Sequence, residues 1–139
     1  MAGWHTARLR EISTEHRPGF WDPWSKAPGY GEKWHSIRTH FGITSFGVNA
    51  YEAGAGEELV VAHDETDYGG QEELYHVVRG RARFTLDGEE VELGEGELLH
   101  VTPEVMRQAD ALEAGTLVFM VGGMPGKPFE PWDFDEPPA

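Results

Sequence analysis

The sequence predicts an all-β sandwich or barrel, preceded by an irregular aromatic-rich arm and followed by a Pro-rich tail. Three observations carry that prediction. Eighteen glycines and nine prolines among 139 residues favour many short elements joined by turns. From Trp34 onward, short runs with strand character are separated by Gly-containing turns, at a spacing of roughly eight to twelve residues. Asp87-Gly88 lies between two alternating runs and is the two-residue signal of a β-hairpin. A chain of 139 residues makes one domain that buries about two thirds of its unfolded surface, so it needs neither metal nor disulfide to fold.

Residues 1–33 read as the arm. Pro18, Pro23, Pro28, Gly19, Gly29 and Gly31 interrupt any helix longer than Thr6 to Glu15. Trp4, Phe20, Trp21, Trp24 and Tyr30 are too many aromatics for a free tail, so the arm is expected to pack on the body or on a second subunit. Residues 34–123 read as the barrel, with strands at 34–40, 44–52, 58–63, 73–78, 81–86, 89–93, 97–102, 106–111 and 116–121. In the hairpin, Leu86 stands opposite Glu89. That register puts Ala82 against Leu93 and Phe84 against Val91 on the buried side, and Arg83 against Glu92 on the wet side. Arg79, Arg81 and Arg83 therefore read as a solvated, charge-paired face and not as an anion stripe. Residues 124–139 read as the tail, extended by Pro125, Pro128, Pro131, Pro137 and Pro138, with Phe129, Trp132 and Phe134 expected to dock it on the barrel. An arm and tail that cover edge strands predict a homodimer.

Composition excludes several function classes. With 11 Lys and Arg against 25 Asp and Glu, the formal charge of −14 repels phosphate backbones and anionic lipid, so no nucleic acid and no membrane partner is expected. The charge is uneven, with six basic against four acidic residues in 1–40 and two against thirteen in 85–139. No apolar run is long enough to span a bilayer, and residues 1–10 carry no apolar leader stretch. The expectation is a soluble, cytoplasmic protein. The absence of cysteine rules out thiolate catalysis and Cys-based metal sites, so any metal must use His, Asp, Glu or water. Ser13, Ser25, Ser36 and Ser45 lack a nucleophile-elbow context, and no Gly-rich phosphate loop opens a helix. Glu72 and Glu73, like Glu89 and Glu90, are adjacent on strands. Their side chains point to opposite faces and make no acid/base couple.

Two stretches in order resemble the motifs of the small single-domain cupins, over roughly residues 43–123. Glu73 and Gly80 bound a Glu-x6-Gly segment that runs into the Asp87-Gly88 hairpin, and residues 96–107, with Gly96, Pro103 and Arg107, follow the length and turn position of the second motif. The resemblance implies a double-stranded β-helix, the cupin or jelly-roll barrel. Its metal ligands carry over only in part. The His-x-His pair is His63 followed by Glu65, the gap from Glu65 to Glu73 is longer than the family's, and Arg107 stands where the second motif has its His. Arginine donates hydrogen bonds only and coordinates no divalent cation.

Three readings of the barrel interior follow. The preferred one is a metal-free pocket, with no cofactor, that binds a small polar or anionic molecule through His63, Glu65, Glu73, Tyr75 and Arg107, with inward aromatics completing its lining. The alternative, implied by resemblance to cupin dioxygenases, isomerases and cyclases, is a metal-dependent enzyme holding Fe, Mn, Ni or Zn on His63, Glu65 and Glu73. The third is a filled barrel in which Arg107 and Glu73 form a structural ion pair. His76 is read as facing the outer sheet surface, His100 as structural, and His35 and His40 as lying on opposite faces of one strand. Trp34, Phe41, Phe46 and Tyr51 are read as core and interface residues.

Overall fold

The computed structural model describes residues 3–31, 33–67 and 70–130 of the chain. Among them, nine strands and one short helix follow one another as β1 (Trp34–His35), α1 (Ile37–Phe41), β2 (Gly47–Ala53), β3 (Glu58–His63), β4 (Glu72–Arg79), β5 (Arg81–Leu86), β6 (Glu89–Gly94), β7 (Leu98–Val101), β8 (Arg107–Ala111) and β9 (Thr116–Gly123). They form two antiparallel sheets, one ordered β1-β2-β9-β4-β7 and the other β3-β8-β5-β6. The architecture is all-β, as the turn spacing predicts. No helix among the described residues is long and apolar enough to cross a membrane.

Period-2 alternation sets what faces inward. On β4, Glu73, Tyr75 and Val77 are buried, whereas Leu74, His76 and Val78 point out of the barrel. Neighbouring strands keep this phase, with Tyr75 opposite Met120 and Val77 opposite Val118. From the other sheet, Ala82, Phe84, Ala109 and Ala111 meet them in the main core. The hairpin closes in the predicted register, from Leu86 against Glu89 to Ala82 against Leu93. It turns on Asp87 at φ 49° and Gly88 at φ 87°. Val91 is half-exposed nonetheless, because β6 is an edge strand. Arg83 bonds Asp110 and leaves Glu92 to Arg81, so the wet face is charge-paired with different partners from those the hairpin alone suggests.

One predicted strand is corrected. Residues 34–40 make a two-residue strand and then α1, whose Ile37 and Phe41 lie one helical turn apart. Both pack on the outer face of β2 and β9 with Ile12, Val48, Ala50 and Leu117. Gly42, at φ 68°, ends the helix, and its N–H is shared between the carbonyls of Arg38 and Thr39. His35 and His40 therefore sit on different elements. His35 is buried, its Nδ1 2.6 Å from the Ile12 carbonyl and its Nε2 3.1 Å from Glu52.

Among its described residues, the arm contains a single 3-10 turn, Leu9–Glu11, and otherwise follows tight turns. Phe20 and Trp21 are buried in the main core and Trp24 and Tyr30 pack against it, so the arm folds onto its own barrel; Trp4 is the exception, at 75% exposed. A polar clasp holds it there. Glu58 accepts from the Ser25 hydroxyl and the Lys26 N–H, and Lys26 Nζ reaches Asp110 at 2.7 Å. Burial alone would raise the pKa of Asp110, but hydrogen bonds from Lys26, Gln108 and Arg83 outweigh it and bring it below the usual value. Residues 131–139, and with them the expected docking of Trp132 and Phe134, lie outside the described residues.

Candidate functional site

The inward residues at one end of the barrel leave a cavity of about 330 Å³ between the sheets. Its floor comes from three segments. β3 ends on His63, the following loop presents Glu65, and β4 brings Glu73 inward. The Glu65 N–H donates to the Pro103 carbonyl and the Gly70 N–H to the Glu65 carbonyl, so the loop is pinned at both ends of a turn. That pinning directs Glu65 into the barrel, 6% exposed, despite the longer gap before Glu73. Space for Glu73 comes from its cross-strand partner Gly122, where a Cβ would sit 3.3 Å from the Glu73 Cγ.

Four charged groups meet there. His63 Nε2 lies 3.2 Å from Glu65 Oε2 and 3.9 Å from Glu73 Oε1. Arg107 Nε lies 3.8 Å from the same Glu73 oxygen, which also accepts the Tyr75 hydroxyl at 2.8 Å. His63 Nδ1 is 2.7 Å from the Val61 carbonyl. A carbonyl only accepts, so Nδ1 carries the proton and Nε2 faces the two carboxylates. Burial works to lower the pKa of His63, but the Glu65 hydrogen bond and the charges of Glu73 and Glu65 overcome it and raise it. The pKa of Glu73 is raised by burial first and by the Glu65 charge second, with His63, Arg107 and Tyr75 pulling the other way. Burial, and then the Glu73 charge, holds the Tyr75 hydroxyl firmly protonated.

All five residues singled out from the sequence thus converge, but not on one surface. His63, Glu65 and Glu73 line the cavity; Tyr75 and Arg107 lie behind Glu73 and are not on its wall. Arg107 is 0% exposed and directs Nη2 to the Thr102 carbonyl at 2.8 Å, while Nε and Nη1 have no hydrogen-bond partner among the described residues. The wall carries Asp64, Glu65, Asp67 and Glu73 against Arg38 and His63. His76 and His100 are on the outer sheet face, His100 bonded to Glu72 at 2.8 Å.

Inward aromatics are expected from the sequence; that the arm supplies most of them is not. Trp21, Trp24 and Tyr30 of the arm, with Trp34 and Tyr51, line the cavity, so Trp34 and Tyr51 are wall as well as core. The signal is the aromatic density of the arm; the position it packs against depends on Glu58 and Asp110, far along the chain.

A divalent cation fits the floor. One donor atom from each of His63, Glu65 and Glu73 lies within 4.8 Å of the others, and imidazole with two carboxylates suits first-row divalent ions. An Nδ1–H held by a backbone carbonyl is the support that metal-ligating histidines generally have.

Residues 62–122 match the family model of the cupin domain. No curated protein matches the chain. Among solved structures, a cupin protein of Bacteroides fragilis superposes with TM-score 0.65 at 16% identity, covering 100% of this chain and 98% of that one. KdgF from a Halomonas species gives 0.50 at 22% identity over 57% and 68% of the two chains. An RmlC-like cupin protein of Desulfovibrio desulfuricans gives 0.51 at 19% over 57% and 72%. At these identities the likeness is one of fold.

Proposed function

We propose that this chain, a small cupin-type domain, is a barrel that binds a small polar molecule in its cavity without a metal. The observation that supports this most directly is that aromatic rings and convergent hydrogen-bonding groups line one concave cavity, the general form of a small-molecule site. Within the floor, His63 and Arg107 offset part of the charge of Glu65 and Glu73. Tyr75 donates to Glu73 and fixes its orientation. Because Arg107 is off the wall and the wall is acidic, a ligand that donates hydrogen bonds suits it better than an anion. Thermal melts of metal-stripped protein against a panel of polar small molecules test this. At least one compound should raise the Tm, and Glu73→Gln should abolish that rise. A panel that leaves the Tm unmoved throughout counts against the binding reading.

A second reading is favoured by the His63 Nδ1 contact with Val61. In it His63, Glu65 and Glu73 hold a divalent ion, which when bound supplies Lewis-acid polarisation of a ligand oxygen. Around it, Tyr75 steadies Glu73, Arg107 offsets the carboxylate charge, and the arm's aromatics exclude water. Equilibrium dialysis against Mn²⁺, Fe²⁺, Ni²⁺ and Zn²⁺ decides between the two. Binding of one ion per chain that His63→Ala abolishes supports the metal site; absence of such binding leaves the metal-free barrel.

A further inference from the structure

The cavity's two walls together specify the charge of what it takes, an inference that rests on the metal-free binding reading. The aromatic rings do not form one flat platform. Trp21 and Trp24 meet at 71°, Trp21 and Tyr30 at 90°, and Trp34 and Tyr51 at 45°, with centroids 6.0, 6.0 and 5.2 Å apart. A sugar ring stacks its flat face on a single aromatic plane, whereas rings set steeply to one another make the sides of a box suited to a compact group. The same cavity is lined by the carboxylates of Asp64, Glu65, Asp67 and Glu73.

Cations on the wall are few and engaged. Arg38 directs its guanidinium to the Ile43 carbonyl and the Thr39 hydroxyl, and His63 is bonded to Glu65 and Val61. Arg107 is fully buried behind Glu73. Burial above all holds Tyr30 and Tyr51 protonated, and the Glu73 charge adds to it, most at Tyr51. Aromatic π faces and carboxylates both attract a positive charge and both repel a negative one.

We propose that the cavity binds a small organic cation, an alkylammonium or quaternary ammonium group boxed by Trp21, Trp24, Tyr30 and Tyr51 and faced by Glu65 and Glu73. The arm is then part of the binding site, since three of the four boxing rings belong to it. Trp24 is the ring best placed to report on it, being half-buried and less committed to the core than Trp21.

The test titrates metal-stripped, full-length protein with choline, with tetramethylammonium, with the uncharged choline isostere 3,3-dimethyl-1-butanol and with xylose, following tryptophan fluorescence and calorimetric heat. Choline should bind about tenfold or more tighter than its uncharged isostere, the ratio a desolvated cation–π and carboxylate site provides. Trp24→Ala should weaken choline and Trp24→Phe restore most of it. Asp67→Asn, at an exposed carboxylate whose loss leaves the core intact, should weaken choline and leave the isostere unchanged. Equal affinity for choline and its isostere would overturn the charge assignment. So would binding of xylose with no binding of either cation, an outcome that leaves the small-molecule barrel standing. If none of the four probes binds, the cation proposal fails; the binding reading fails with it only if the wider panel of polar molecules is also without effect.

Discussion

Replacing Arg107 with Ala should destabilise the barrel by about 3 to 5 kcal/mol at pH 8, the usual cost of leaving a buried carboxylate without its partner. Arg107 has no exposed surface and sits 3.8 Å from a Glu73 oxygen that is itself buried. The loss should depend on pH in a definite direction. The pKa of Glu73 is already above its ordinary 4.5, through burial and the Glu65 charge, and Arg107 is one of the groups opposing that rise. Without Arg107 it climbs further. A carboxyl with a raised folded-state pKa takes up a proton on folding, so its contribution is complete below the ordinary pKa and is lost as pH rises through the folded one. The variant loses stability over a wider pH span than the wild type, and the gap between them, which includes a pH-independent packing loss, should be smaller near pH 5 than at pH 8. Urea melts at the two pH values measure it, with Arg107→Met as a companion that fills much of the vacated volume and loses the same charge. A deficit equal at both pH values would mean that packing, not the Glu73 charge, holds Arg107 in place.

Gly80→Ala should cost about 2 to 5 kcal/mol, from about 1 to 2 for a left-handed backbone and about 1 to 3 for overpacking. Gly80 joins β4 to β5 at φ 81°, and a Cβ there would lie 2.8 Å from the Thr116 Cα and against its hydroxyl. Thr116 cannot withdraw, because it is fully buried and its hydroxyl bonds the Glu113 carbonyl at 2.8 Å. Gly88 provides the control. Its φ is 87°, yet nothing lies within 4 Å of where a Cβ would stand, so Gly88→Ala should lose only the backbone share, about 1 to 2 kcal/mol. Paired thermal melts compare them. Equal losses would show that the close approach to Thr116 does not matter.

The hairpin of β5 and β6 is legible in the sequence because two local rules agree there. Asp87-Gly88 sets the turn, and alternation allows one register that buries Ala82, Phe84 and Leu93 together. The same alternation places Glu73 and Tyr75 inside and His76 outside. Helix α1 escapes such a reading because five residues are too few for a helical period to stand out from alternation; the Ile37 and Phe41 spacing and Gly42 at its end are its only marks.

Local rules therefore suffice for the all-β barrel and the inward set of its strands, since period-2 alternation and turn residues act over a few neighbouring positions of the sequence. Which inward groups reach the cavity is a matter of tertiary packing. Arg107 pairs in register with His63 on β3, yet lies behind Glu73 and off the wall. The arm has no periodicity to read, and its place as the aromatic wall depends on Lys26 finding Asp110 across 84 residues of chain. Contacts at that separation depend on how two sheets and an irregular segment pack together, and no local pattern encodes them.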